Sequence, residues 1–124
     1  MKAIKIIIIA LFLVTITFSC KAQQISEYST KIIGTWIDED SSYKLVFLTS
    51  GICKEYENSE LISTYSYKIK NENCKNFQAA NTIYLEWIDN EDNKITCFEV
   101  LNITENSLSI MIIDRAKRLF FIKQ

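Results

Sequence analysis

The chain has 124 residues, with 14 lysines and arginines against 15 aspartates and glutamates and a formal net charge of −1. It contains no histidine, so the commonest general base and the commonest zinc ligand are both absent, and most hydrolase mechanisms lack a key group. Only two glycines are present and the basic residues are scattered, which excludes a glycine-rich phosphate loop and an extended basic surface for nucleic acid.

The first twenty residues have the pattern of an export signal. Lys2 and Lys5 precede an apolar run over residues 6–14, and small residues follow near Ser19. The apolar segment, at ~13 residues, is short for a membrane-spanning helix, which needs about 20. We therefore predict a signal peptide over residues 1–19 and export of the rest of the chain.

The role of Cys20 determines where the signal peptide is cleaved and which residue becomes the mature N-terminus. The ending Ser19-Cys20 resembles that of bacterial lipoproteins, in which the cysteine is lipidated and becomes the new N-terminus. Two or three acyl chains on Cys20 would anchor the protein stably to a membrane. Lipoproteins displayed on the outer face often carry acids after the cysteine, and residues 21–24 carry none, which favours an envelope protein facing the periplasm. An ordinary cut after Ala22, giving a soluble periplasmic or secreted protein, and an uncleaved membrane anchor are the alternatives.

The remainder of the chain has the pattern of strands. Residues 20–30 are polar and lack periodicity, which predicts a flexible tether. After them, β-branched and aromatic runs alternate with polar breaks that suit turns, such as Thr49-Ser50-Gly51. The predicted strands cover residues 32–38, 43–49, 52–57, 61–70, 82–89, 94–103, 107–114 and 117–123.

Eight strands joined by short turns predict one all-β domain over residues 31–124. We favour an eight-stranded antiparallel up-and-down barrel, because closure removes both exposed sheet edges. Alternation along residues 61–70 supports a core on one side of the sheet, with Tyr65 and Tyr67 on the apolar face. The alternation over residues 94–103 is ambiguous, and a two-sheet β-sandwich is the alternative.

The segment Ile33-Gly34-Thr35-Trp36 opens the first predicted strand and matches the Gly-x-Trp signature of the lipocalins and their calycin relatives. With Tyr43-Lys44-Leu45-Val46-Phe47 and Gly51 at the next hairpin, it resembles the small lipocalin-like envelope lipoproteins of Bacteroidota. The resemblance covers residues 32–123. It implies a barrel in which Trp36 plugs the closed end and the interior holds a ligand. The alternative is that Trp36 is simply a buried aromatic residue at the start of a strand.

A ligand in such a barrel would be a small hydrophobic or amphipathic molecule, because eight strands enclose room for one small ligand or for side chains alone. Tyrosine hydroxyls and an indole N–H could orient it. The alternative is that the side chains fill the barrel completely. The candidate ligand-binding residues are Trp36, Tyr65, Tyr67, Leu85, Trp87, Glu99 and Phe120.

Acidic side chains are the remaining groups that could support catalysis, since paired carboxylates hydrolyse glycosides without histidine. Glu55, Glu57 and Glu86 are expected at solvated outer positions. Glu99 alternates with Cys97 and is expected to point inward, where it would orient a ligand before it would catalyse a reaction. We therefore predict a protein that is not an enzyme, with no catalytic residues, no metal site and no cofactor.

Three cysteines remain after Cys20, and an oxidising compartment favours pairing two of them. Folding the predicted hairpins puts Cys53 and Cys97 at similar heights in the sheet and Cys74 in a loop at the other end. Cys53–Cys97 is therefore the predicted disulfide, and pairing of Cys74 with either cysteine is the alternative. The spacings form neither a Cys-x-x-Cys redox motif nor a recognisable metal site.

The sequence as a whole predicts a non-catalytic envelope lipoprotein that binds a small hydrophobic or amphipathic molecule and contacts the membrane through Cys20. The competing prediction is a protein–protein interaction module with a solidly packed barrel, no ligand and an unidentified partner. An open, apolar-lined cavity would favour the first, and a filled interior would favour the second.

Overall fold

The computed structural model describes residues 22–124 of the chain. The predicted signal peptide over residues 1–19 and the predicted lipidation site Cys20 lie outside the described residues. A helix, α1, covers residues 22–31, and a single 3-10 turn covers Ile113–Arg115. The strands are β1 (Gly34–Ile37), β2 (Tyr43–Phe47), β3 (Ile52–Glu57), β4 (Glu60–Lys70), β5 (Tyr84–Asp89), β6 (Ile95–Ile103), β7 (Ser107–Ile112) and β8 (Lys117–Lys123).

The eight strands form one closed barrel in which each strand pairs antiparallel with its neighbours in chain order. The first and last strands close it, with Trp36 opposite Lys123. Turn residues that accept a positive φ keep consecutive strands adjacent: Gly51 lies between β2 and β3, and Asn58 and Ser59 lie between β3 and β4. The predicted eight-stranded antiparallel barrel is confirmed, and the alternative of a two-sheet sandwich is wrong.

An apolar core runs through the barrel because alternate residues of each strand face inward. On β2, for example, Leu45 and Phe47 are buried in the core. On β6 the alternation changes at a β-bulge between Val100 and Asn102, so that Val100 and Ile103, three residues apart, are both buried. This bulge explains why the pattern over residues 94–103 is ambiguous in the sequence.

Helix α1 occupies most of the segment that is predicted to be a flexible tether, residues 20–30. Ile25 and Tyr28 pack against the barrel core, and Ile32, directly after the helix, is buried in it. Spacings of three and four residues place these side chains on one face of a helix, a periodicity that the polar residues between them obscure. The tether prediction is therefore wrong for residues 22–30, where the chain is helical and packed against the barrel.

Trp36 closes the end of the barrel next to helix α1. Its Nε1 donates to the carbonyl oxygen of Ile32 at 2.7 Å, and the Nζ of Lys123 lies 5.2 Å from the centre of its ring. The same Nζ donates to the carbonyl oxygen of Lys31 at 3.2 Å. Gly34 has a φ of +134°, which residues with a Cβ rarely adopt, so this position favours glycine; a Cβ there would also lie 2.8 Å from the Cε of Lys123, at the flexible end of that side chain. The Gly-x-Trp motif thus joins the helix to the barrel and plugs this end.

The disulfide joins Cys74 to Cys97, whose Cα atoms are 5.9 Å apart, and the predicted Cys53–Cys97 pairing is wrong. Cys97 faces outward because the next residue along β6 faces the core, whereas Cys53 is a free thiol buried inside the barrel. Two cysteines on opposite faces of the barrel wall cannot meet. The loop over residues 71–83 instead brings Cys74 to the outer surface, where it packs with Cys97 and Tyr84.

Candidate functional site

A cavity of about 180 Å³ lies in the end of the barrel opposite helix α1, which we call the open end. Helix α1 leads into the start of β1, whereas the cavity lies among the turns at the far end of that strand. Six aromatic or aliphatic side chains line it: Tyr43, Tyr65, Trp87, Phe98, Ile112 and Leu119. Five polar or charged side chains complete the lining: Glu55, Lys94, Thr96, Asp114 and Arg115.

Three aromatic side chains from consecutive strands form one wall of the cavity. Tyr65 on β4 stacks on Trp87 on β5 with ring centres 4.4 Å apart, and Trp87 meets Phe98 on β6 edge-on at 4.6 Å. The register explains the contact, because Tyr67 pairs directly with Trp87 and leaves Tyr65 diagonal to it on the same face. The wall therefore lines one side of the cavity with aromatic side chains, which suits a partly apolar ligand.

Glu55 brings a carboxylate to the inner face of the barrel. The hydroxyl of Tyr65 donates to one of its oxygens at 2.8 Å, and the hydroxyl of Tyr43 donates to the other. Residue Glu55 is half-buried on β3, two residues after the buried Cys53 and therefore on the same face of the strand. The ion pairs within residues 22–124 lie elsewhere, namely Lys31–Glu27, Lys70–Glu86 and Lys75–Asp114.

The two tyrosines act as hydrogen-bond donors to Glu55 over the whole physiological pH range. Burial raises the pKa of Tyr65 to about 12, and its hydrogen bond to Glu55 acts in the same direction against an opposing contribution from Ser63. Burial, followed by the hydrogen bond to Glu55, raises the pKa of Tyr43 as well. Both phenols therefore keep their protons, and the carboxylate remains the acceptor of the group.

The indole N–H of Trp87 is an unpaired donor in the cavity wall. Trp87 is 4% exposed, and its Nε1 is buried without a hydrogen-bond partner among residues 22–124. Buried polar groups in folded proteins nearly always have a partner, because an unmade hydrogen bond costs roughly 1–3 kcal/mol.

Two of the predicted ligand-binding residues, Tyr65 and Trp87, line the cavity, and three others lie deeper in the barrel. Trp36 plugs the helix end, and Leu85 is fully buried in the core. Tyr67 donates its hydroxyl to the carbonyl oxygen of Leu48 at 2.7 Å and packs edge-on against Phe47. These three side chains therefore help to fill the barrel core, whereas the cavity lies at the open end.

The other two predicted ligand-binding residues face away from the interior. Glu99 lies between Phe98 and Val100, both of which are buried in the core, so its own side chain is on the outer face. Phe120 is 51% exposed, whereas its neighbour Phe121 is 2% exposed and belongs to the core. The inward placements of Glu99 and Phe120 are therefore wrong, because only one of two adjacent residues in a strand can face inward.

Glu55 is the most important site residue that the sequence-based assignment places incorrectly. It is expected at a solvated outer position, yet it points into the barrel. Cys53, an apolar residue two places earlier on the strand, is the signal that could have placed it, since residues two places apart share a face and Cys53 is buried in the core. The inward carboxylate is Glu55 on β3, whereas the predicted one, Glu99 on β6, faces outward.

Two other concave regions carry less chemistry. A cavity of about 100 Å³ beside helix α1 is lined mostly by amide and aliphatic side chains, among them Gln24, Asn71 and Ile83. A broad polar depression lies on the exposed loop over residues 71–81. Neither contains a carboxylate held by buried hydrogen bonds or an aromatic wall. A third depression, of about 230 Å³ near Ser42, Lys44 and Ser59, also lacks both features, so the open-end cavity is the candidate site.

Comparisons of the chain with protein-family models, curated proteins and solved structures give no match. Among residues 22–124, no cluster of three or more histidine, cysteine, aspartate or glutamate side chains could hold a metal ion. None of the helices in that part of the chain is long and apolar enough to cross a membrane. The geometry and chemistry of the open-end cavity are therefore the features that bear on function.

Proposed function

We propose that the protein is a non-catalytic binding protein that holds a small, partly hydrophobic molecule in the open-end cavity. The observation that carries this proposal is the cavity of about 180 Å³ with its aromatic wall. An engineered cavity of about 150 Å³ in another protein binds benzene, so the volume suits a molecule with one ring. Drug-sized ligands occupy roughly 300–1,000 Å³, so long lipids and large cofactors are too big for this cavity.

The same proposal includes lipocalin-like ancestry, export and a lipid anchor on Cys20 in a bacterial envelope. The closed barrel and the plug formed by Trp36 support lipocalin-like ancestry. The Cys74–Cys97 disulfide supports export to an oxidising compartment. One residue, Lys21, separates Cys20 from the described helix, so an anchor would hold the α1 end near the bilayer and leave the cavity facing away. Intact-mass measurement tests this part, because a triacylated protein beginning at Cys20 and one beginning at Gln23 differ in mass.

An interaction module is the second candidate, and one observation favours it. Phe120 and Ile122 lie two residues apart on the outer face of β8 and are about half exposed, at 51% and 50%. Exposed apolar pairs on a sheet face occur at protein interfaces. Under this alternative the barrel would bind no small molecule, and alanine substitution of Phe120 would abolish association with a protein partner.

The test uses the two tryptophans of the chain as separate reporters. In an NMR spectrum of 15N-labelled protein, the indole of Trp87 reports on the cavity, and the indole of Trp36, hydrogen-bonded at the opposite end, is the internal reference. Titration with one-ring compounds is expected to shift the Trp87 indole signal in a saturable way and to leave the Trp36 signal in place.

A cavity-filling variant shows whether the shift comes from the cavity. Thr96 lines the cavity opposite Trp87, so Thr96→Phe should abolish the saturable shift. Thr64→Phe is the matched control, because Thr64 pairs with Lys54 on the outer face of β4, away from the cavity. A Trp87 signal that stays unmoved by every one-ring compound would sink the proposal, as would equal binding by Thr96→Phe.

A further inference from the structure

We propose that the open-end cavity selects a small organic cation, such as a protonated one-ring amine, and that the Glu55 carboxylate recognises its positive charge. This inference rests on the proposed binding function and names the chemical class of the ligand. It comes from three features of the cavity: a carboxylate without a positive partner, phenols that donate to it, and an aromatic wall beside it.

The charge of Glu55 has no positive counterpart within the barrel. The ion pairs within residues 22–124 leave it out, although it is half-buried among Tyr43, Tyr65 and other lining side chains. Carboxylates removed from bulk water are usually paired, because the desolvated charge is otherwise costly. A cationic ligand would supply the missing partner.

The hydrogen bonds of Glu55 leave it able to accept more. A carboxylate has about four acceptor sites, and Tyr43 and Tyr65 donate one hydrogen bond to each oxygen. The two phenols fix the carboxylate in place without neutralising it. An ammonium group has up to three N–H donors and no acceptor, so it can donate to the acceptor sites of Glu55 that the two phenols leave free.

The aromatic wall favours the same sign of charge. Tyr65 and Trp87 line the cavity, and aromatic rings carry negative electrostatic potential over their π systems, which attracts a cation and repels an anion. A protonated amine attached to a ring could stack the ring on this wall and direct its nitrogen to Glu55. A ligand with a carboxylate at the same position would be repelled by the Glu55 carboxylate and by the π electrons of the aromatic wall.

Basic side chains at the rim do not reverse this preference. Lys94 and Arg115 line the mouth together with Asp114, and all three are exposed. Their charges are screened by water and salt, whereas that of the half-buried Glu55 is screened less. Neither Lys94 nor Arg115 forms an ion pair with Glu55 within residues 22–124. They therefore affect approach to the mouth more than recognition inside it.

The experiment compares three probes of similar size and different charge: benzylamine, benzyl alcohol and benzoate. Their affinities for the full folded protein are measured at neutral pH from the Trp87 indole signal, with the Trp36 signal as reference. We expect benzylamine to bind at least about tenfold more tightly than benzyl alcohol, since hydrogen bonds to charged groups are roughly twice as strong as neutral ones. Benzoate should bind most weakly.

Glu55→Gln should reduce the preference for benzylamine to within about twofold, because it removes the charge and keeps the shape of the side chain. The matched control is Glu99→Gln, which removes a carboxylate from the outer face of the barrel and should keep the full preference. Equal affinities of the wild-type protein for benzylamine and benzyl alcohol would overturn cation selectivity and leave the binding function standing. Tighter binding of benzoate than of benzylamine would also overturn cation selectivity, and would indicate that Lys94 and Arg115 at the mouth of the cavity recognise the ligand. If no probe shifts the Trp87 signal, the binding function and this inference fall together. The wild-type comparison is decisive even if Glu55→Gln does not fold.

Discussion

Loss of the Cys74–Cys97 disulfide should lower the free energy of unfolding by about 3 kcal/mol. The bond joins residues 23 positions apart, and the loop-closure entropy that it removes from the unfolded chain corresponds to about 3 kcal/mol at 25 °C. The loop that carries Cys74 is held by few other polar contacts, such as an exposed Lys75–Asp114 ion pair at 3.6 Å. For a domain of this size the predicted loss corresponds to a fall in Tm of roughly 12–24 °C.

The assay is urea unfolding followed by tryptophan fluorescence, with and without a phosphine reductant. The wild-type protein should lose about 3 kcal/mol on reduction, and Cys74→Ala should not respond to the reductant because it has no disulfide to break. Cys53→Ala is the matched control, since Cys53 is a free thiol and its removal leaves the bond intact. A wild-type protein that ignores the reductant, or a Cys74→Ala variant that responds as strongly as the wild type, would refute the assignment of the pair.

Three further predictions concern the barrel wall and the site. Gly34→Ala should destabilise the protein by about 1–3 kcal/mol in urea unfolding, because a φ of +134° is strained for a residue with a Cβ; Gly51→Ala should cost less, because its φ of +83° is closer to the left-handed region that other residues can adopt and the nearest atom to its Cβ is 4.0 Å away. Phe121→Ala should lower the free energy of unfolding by about 3–5 kcal/mol, and Phe120→Ala should change it by no more than about 0.5 kcal/mol. Equal losses would contradict the placement of Phe121 inside the barrel and Phe120 outside it. Stability should fall as pH rises above about 10, because the pKa of Tyr65 is about 12 in the folded protein and about 10 for a solvent-exposed tyrosine, so the folded state holds its proton more tightly. Tyr65→Phe should reduce the fall between pH 10 and 11.5.

The architecture of the barrel could be predicted from local patterns. β-branched and aromatic runs separated by turn residues gave eight strands, and hairpins keep consecutive strands adjacent. The alternation of apolar and polar residues could not show which side of a strand faces the core where both sides carry apolar residues. Phe120 and Phe121 are equally hydrophobic, and only the pairing of Phe121 with Leu108 in the closed barrel decides between them. On β6 the bulge after Val100 breaks the two-residue period on which facing predictions depend.

The disulfide and the helix depend on contacts distant in the sequence. Height in the sheet suggested Cys53 and Cys97, but the inner and outer faces separate them, and the course of the loop over residues 71–83 brings Cys74 to the outer face instead. Ile25 and Tyr28 stabilise helix α1 because the barrel end lies beneath them. A ten-residue helix is marginal in isolation, so its sequence alone gives little indication of it.

The chemistry of the site was half predictable. Tyr65 and Trp87 could be identified as inward aromatic residues, and an inward carboxylate was expected, but on the wrong strand. Glu55 looks like a surface residue because its neighbours Lys54 and Glu57 are charged. Its function-related features, the two phenol donors and the absence of an ion pair, arise only when β2, β3 and β4 come together.

A crystal structure of the protein with benzylamine tests the central claim most directly, because it locates the ligand and its nitrogen together. We predict density in the open-end cavity, with the ring against Tyr65 and Trp87 and the nitrogen about 2.7–2.9 Å from a Glu55 carboxylate oxygen. The claim would be contradicted by benzylamine bound only on the outer surface, or by a cavity that stays without ligand density at saturating concentration.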